Sequence, residues 1–399
     1  MGRATRGAEG LRRLHERGEQ RPREAGPVKP IPRLPCLVAW TCLFTASTSA
    51  LGEATPAPLL ITIATVWEGE PVSEANLEAL RSFRKSFSGT GMIYFVSPAY
   101  LAREARDRRA AEDQQRAILA TMEKNDIAGI YLNGWKSTVE ASNVVFRSAP
   151  TFWGNSLNAR QCADDCGREV VMAAYTGNEL RKIIRRSREL FSRNGFGSGS
   201  IMQVAGHAAS PEVLGAAAAE GITHDFSAVA AELMTGRLYR FPLRKQLREL
   251  WSGVGPMMSP FQMETGSGSL TQMTSNGLHL EYSPEPEIRN YLDRLFGKGA
   301  AADQKIPANR HLYIGVPAET FAIARPKLEL AMSEIIQRAS DSKTALRWTA
   351  EALPGAGDNK PVLPSPMATP SPTPSPAPSQ TQAPSDAAAR SPGPAGEAH

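Results

Sequence analysis

Several features that would class this chain quickly are scarce or absent. Four cysteines among 399 residues are too few for a disulfide-dense small scaffold, and two of them, Cys36 and Cys42, sit in an N-terminal apolar stretch. That stretch, Leu34–Phe44, is shorter than the about 20 residues a transmembrane helix needs. No Gly-x-Gly-x-x-Gly follows the first strand signal, so a dinucleotide-binding fold has no support. Excess charge is missing from most of the chain. Residues 1–33 hold nine Lys/Arg against four Glu and so carry the whole formal charge of +5. The remainder is neutral and lacks the aromatic-basic interleaving of single-strand binders, which argues against a nucleic-acid partner.

The two ends have recognisable compositions. A basic segment, the apolar run, and the small residues Thr45–Ala50 make a secretory signal, with cleavage expected after Ala50 and Thr48 at −3. A start at Val28 would give a compact basic region, Lys29–Arg33. A lipoprotein signal at Cys42 fits poorly, because Trp40 and Thr41 precede it. From Pro354 onward the chain holds 12 of its 31 prolines, among Ser, Thr, Ala and Gln. Such a segment cannot bury a core. It is either a spacer reaching an envelope partner or a solvated tail. The expected organisation is residues 1–50 as extension and signal, 51–353 as one domain and 354–399 as tail. The product is then secreted or periplasmic, with no membrane span.

Within the domain, strand and helix signals alternate. Leu59–Val66 is continuously apolar and β-branched, as for a strand covered on both faces. Ser73 caps a helix over Glu74–Phe87 with Leu77, Leu80 and Phe83 on one face. Further strands are expected at Gly91–Val96, Ile127–Leu132, Ser200–Ala205, Ile222–Asp225 and His311–Val316. Helices are expected at Arg103–Lys124, Glu179–Asn194 (stopped by Gly195), Pro211–Glu220 and Ala318–Arg338. Residues 134–176 form a connection too long to be idle. Repeated β–α units imply a parallel sheet, an irregular barrel fitting the count better than an open sheet, with the site at the strands' C-terminal ends.

Five blocks carry a resemblance: Val139–Gly154, Cys162–Glu169, Gly195-Phe-Gly, Ala205–Leu214 and Glu220–Val229. Together they resemble an envelope-associated branch of the polysaccharide deacetylase-like proteins, over roughly residues 58–325. The resemblance implies a distorted (β/α)7 barrel in which Asp and two His hold a divalent metal. The metal activates water, an Asp serves as base and a late-strand His as acid. This chain departs from that pattern where the chemistry lies. Val66 stands at the Asp position before Trp67-Glu68-Gly69. Tyr131, Asn133 and Ser137 fill the histidine positions. Gln203-Val-Ala-Gly-His207 replaces an Arg-x-Gly-Gly-Trp pattern, and Pro317 takes the late His position. Asn and Ser are poor zinc donors, and Val and Pro replace neither acid nor base.

The expectation is therefore a glycan or amino-sugar polymer as partner, a degenerate metal site and no cofactor. Zinc or another divalent metal belongs to the alternative, an active deacylase with a rearranged site. Candidate residues carry two readings each. Glu68 and Glu70 are either an acid–base pair or a solvated loop. His207, His224 and Asp225 are either a replacement cluster or isolated residues, Asp225 alone matching the family. Trp67, Trp135 and Trp153 either stack on sugar rings or pack the long connection onto the barrel. Asn133 and Ser137 are expected in the cleft. Cys162 and Cys166 form a small-loop disulfide, remain free thiols, or join a metal site.

Overall fold

The computed structural model describes residues 58–103, 107–154, 156–162, 164–233, 242–275, 278–298 and 310–350. The expected signal, the tail, Cys36 and Cys42 lie outside the described residues. In chain order the elements are β1 (Leu59–Trp67), α1 (Glu74–Ser86), β2 (Met92–Val96), α2 (Ala99–Ala102), α3 (Arg108–Thr121) and β3 (Ile127–Leu132). Then come α4 (Lys136–Ala141), α5 (Leu157–Arg160), α6 (Gly177–Arg193), β4 (Ile201–Val204), α7 (Pro211–Ala219), β5 (His224–Asp225) and α8 (Pro242–Leu250). The last set is β6 (Phe261–Thr265), β7 (Gly268–Gln272), β8 (Leu278–His279), α9 (Glu285–Leu295), β9 (His311–Pro317), α10 (Phe321–Asp341) and β10 (Leu346–Trp348).

The strands form one sheet in the order β6-β7-β5-β4-β3-β2-β1-β9-β8, with β10 added to β1. All pairings are parallel except the β6–β7 hairpin. Cross-sheet contacts give its curvature. Gln203 on β4 donates to the Tyr313 hydroxyl on β9 at 3.0 Å. In a flat sheet four strand spacings would put them about 19 Å apart. The Phe95 ring on β2 meets Phe226, just past β5, at 5.2 Å. The sheet is thus curled into a distorted (β/α) barrel, open between its edge strands β6 and β8.

Local rules account for the best-read elements. Eight of the nine β1 residues are buried, because barrel interior and outer helices cover both faces. Ser73 caps α1, whose Leu77, Leu80 and Phe83 are buried. A capping box between Thr176 and Glu179 opens α6, and Leu180, Ile183, Ile184, Leu190 and Phe191 form its buried stripe. Two helix readings need correction. The charged segment from Arg103 is broken: Asp107 leaves helical geometry (φ −142°) and caps a new start at Arg108 through Ala110 N–H. Ala318–Thr320 forms a separate 3₁₀ turn, and α10 starts only at Phe321 because Thr320 is not helical (φ −125°).

Candidate functional site

A cavity of about 360 Å³ opens at the C-terminal ends of the strands. Val66 and Glu68 line it from β1 and its exit, and Tyr131 from β3. Gln203 and the Ala205–His207 turn follow from β4, His279 from β8, Pro317 from β9 and Glu319 from the turn after it. The long connection adds Phe152, Trp153, Arg168 and Glu169, so it forms part of the wall. Val66 and Pro317 are direct partners across β1 and β9. Two positions where the resemblance implies an Asp and a His are therefore one apolar patch in the cavity floor.

Two carboxyl groups dominate the mouth. Glu319 Oε1 accepts the Glu68 backbone N–H at 2.7 Å and the Tyr100 hydroxyl at 3.0 Å. Its Oε2 is buried with no hydrogen-bond partner. Burial first, then the negative charge of Glu68, pushes the Glu319 carboxyl up to about 8, so the group is mostly protonated at neutral pH. Burial also raises Glu68, with Arg168 opposing the shift. Arg168 lies 3.6 Å from the Glu68 carboxylate and 3.7 Å from that of Glu70.

Two imidazoles lie opposite. The His207 and His279 rings meet edge to face at 4.8 Å. Burial pushes His207 well below its ordinary value and His279 down to about 4, so both are neutral at pH 7. His207 Nδ1 and His279 Nε2 are buried without hydrogen-bond partners. Gly206, at φ +60°, makes the turn that carries His207, and a Cβ there would stand 2.9 Å from the Phe152 ring. Glycine therefore lets the long connection close over the turn.

Of the candidates named from sequence, Glu68, Trp153 and His207 line the cavity, and Trp153 is 45% exposed. Glu70 stands beside it, tied to Arg168. The carboxyl that bonds to the Glu68 backbone in the cavity wall is that of Glu319, from 251 residues away. Asn133, Trp135 and Ser137 are braces instead of cleft residues. Asn133 accepts from Ser97 Oγ at 2.8 Å and donates to the Glu68 carbonyl at 2.7 Å. The Trp135 indole N–H donates to that same carbonyl at 2.7 Å. Ser137 donates to Asp165 through its hydroxyl at 2.7 Å and its backbone N–H at 2.9 Å. Asp165 also holds Arg103, at 2.6 Å, and lies in the small loop closed by the Cys162–Cys166 disulfide.

Three placements correct the sequence reading. Trp67 is fully buried against Tyr94, because strand alternation turns it from the interior toward the outer layer. His224 is paired with Ile201, the first residue of β4, and so sits at the opposite barrel end from His207. Asp225 is fully buried below the cavity, accepting from the Ser227 hydroxyl at 2.8 Å and backbone N–H at 3.1 Å. Burial raises its carboxyl to about 6. The proposed His207, His224 and Asp225 cluster does not form.

The metal implied by the resemblance does not fit these residues. Among the described residues no group of three or more His, Cys, Asp or Glu side chains is placed to hold one ion. The Asn133 and Ser137 donors are already committed to the hydrogen bonds above.

No family model and no curated protein matches the chain. Solved structures do. A Mycobacterium smegmatis protein named as a polysaccharide deacetylase aligns at 10% identity and TM-score 0.38, over 74% of this chain and 96% of its own. A family 4 carbohydrate esterase from Streptomyces lividans aligns at 12% identity and TM-score 0.33, over 73% and 93%. A 4-alpha-glucanotransferase from Thermococcus litoralis aligns at 11% identity and TM-score 0.41, over 74% of this chain and 40% of its own.

Proposed function

We propose that this chain binds a sugar unit of an envelope or extracellular glycan in the mouth cavity, without the metal-dependent deacetylation that its sequence resemblance implies. The carrying observation is the cavity itself. Its volume lies in the range of about 300–1,000 Å³ usual for ligand sites, and it combines exposed Trp153 with carboxyl, hydroxyl and imidazole groups in one wall. The commitment of Asn133 and Ser137 to structural hydrogen bonds supports the loss of the metal centre. Export through the N-terminal signal belongs to the same proposal, and a disulfide between Cys162 and Cys166 suits an oxidising compartment. No helix among the described residues is long and apolar enough to cross a membrane.

A second reading, hydrolysis of amide-linked acyl groups on an amino sugar at a rearranged site, draws on the protonated Glu319 beside Glu68. The two readings separate in one experiment. The full-length chain is titrated with N-acetylglucosamine and glucosamine oligomers, and acetate release is followed with and without added zinc. Binding without acetate release is the expected result. Acetate release abolished by Glu68→Gln establishes the second reading. No binding of any oligomer overturns both.

A further inference from the structure

The cavity wall is lopsided in charge. Glu68, Glu169 and Glu281, with the protonated carboxyl of Glu319 beside Glu68, line it, against the single guanidinium of Arg168 among the described lining residues. Arg168 is itself shared with Glu70, outside the cavity. His207 and His279 contribute no positive charge, since burial keeps both imidazoles neutral. The carboxyls come from four separate segments: the β1 exit, the long connection, the β8 exit and the β9 exit. They encircle the space and do not converge on a point, in keeping with the lack of a three-ligand metal cluster among the described residues. A wall of this kind suits positive charge carried on a larger organic body.

A second observation is independent of the acidic wall. His207 is only 5% exposed, lines the cavity, and leaves Nδ1 without a hydrogen-bond partner. The ring's contacts with the backbone at Phe226 and Ser227 favour a proton on its other nitrogen. Nδ1 is then the bare lone pair of a neutral imidazole, which accepts from a hydroxyl or ammonium donor. A buried acceptor left unfilled is unfavourable in the empty protein, so a ligand that donates to it gains affinity. Glu319 Oε2, also buried and unpartnered, lies in the same wall.

We infer that the cavity takes the free-amine form of an amino sugar in preference to its N-acylated form, the ammonium facing Glu68, Glu281 and Glu319 and a donor of the sugar reaching His207 Nδ1. This rests on the glycan reading above and sharpens it. An acyl group would remove the positive charge and leave Arg168, already shared between Glu68 and Glu70, as the one cation facing the carboxyls among the described lining residues. An ammonium relieves the crowding of those carboxyls, because each carboxylate's charge opposes ionisation of its neighbours. An anionic sugar is repelled.

The test is calorimetric titration of the full-length chain at about pH 6 with a glucosamine trimer, an N-acetylglucosamine trimer and spermidine. The glucosamine trimer is expected to bind at least ~10-fold more tightly than either of the others, a gap of about 1.4 kcal/mol. Glu281→Gln, at a half-buried position in the wall, is expected to cut that preference at least threefold. Equal affinities for the two trimers overturn the free-amine inference and leave the glycan reading standing. Absence of binding by both trimers overturns the glycan reading, and this inference with it. Spermidine binding as tightly as the glucosamine trimer overturns the assignment to a sugar.

Discussion

Replacing Glu319 by glutamine removes a titration without removing a hydrogen bond. The glutamine carbonyl oxygen can accept the Glu68 N–H and the Tyr100 hydroxyl as Glu319 Oε1 does, while its amide stands where the carboxyl proton stood. The fold raises the Glu319 carboxyl from an ordinary 4.5 to about 8. Below 4.5 both folded and unfolded chains are protonated there, and the group contributes nothing to stability. Between 4.5 and about 8 the unfolded chain ionises Glu319 while the fold keeps it protonated. The wild-type protein therefore loses stability as pH rises through that window, and the loss levels off above it. At 1.36 kcal/mol per unit, the interval from 4.5 to pH 7 corresponds to about 3 kcal/mol, reduced to about 2 kcal/mol by water at the half-open mouth. Glu319→Gln is expected to match wild type at about pH 4.5 and to exceed it by about 2 kcal/mol at pH 7. Urea unfolding of both full-length proteins at the two pH values measures this. A variant destabilised equally at both, or a difference that does not change with pH, refutes the buried protonated carboxyl.

Further expectations follow from the same geometry. Glucosamine-trimer binding near pH 7 should release up to one proton, because an ammonium beside Glu319 favours its ionisation; the binding heat should then vary with the ionisation enthalpy of the buffer. Trp153→Ala should weaken trimer binding about tenfold, consistent with an aromatic binding anchor, and leave unfolding within ~0.5 kcal/mol of wild type, since the side chain is 45% exposed. Gly206→Ala should lower stability by more than ~1 kcal/mol through its positive φ and its clash with Phe152, and should also weaken binding. Replacing both Cys162 and Cys166 by Ser should lower stability by about 2 kcal/mol or less, because so short a loop constrains the unfolded chain little, as urea unfolding would show.

Much of the barrel was legible because its longer strands are covered on both faces. Leu59–Trp67, Met92–Val96, Ile127–Leu132 and His311–Pro317 announce themselves as apolar runs, and Ser73 marks the start of α1 with a side-chain cap. The stretch from residue 226 to 310 was not legible. β8 has two residues, too few to show any period, and the β6–β7 hairpin is antiparallel in an otherwise parallel sheet. β5, also of two residues, was anticipated as the end of a strand over Ile222–Asp225.

The site divides similarly. Glu68 and His207 were found because they follow strands directly, where barrel sites are built. His224 was misplaced because the sequence does not reveal register, and the pairing sets it level with the first residue of β4. Trp67 was misplaced by a single step of strand alternation, which sends neighbouring side chains to opposite faces. Glu319 was passed over although it lies two residues beyond the end of β9, close to Pro317. Its position past a strand end was the available signal, but its 2.7 Å bond to the Glu68 backbone depends on curling the sheet until β9 pairs with β1.

The most direct measurement of the central claim is glycan binding by the metal-stripped full-length chain. Affinity for the glucosamine trimer is measured after exhaustive chelation and again with one equivalent of zinc restored. The same affinity is expected in both, with no acetate released from the N-acetylated trimer. Binding or acetate release that appears only when stoichiometric zinc is restored would contradict that claim.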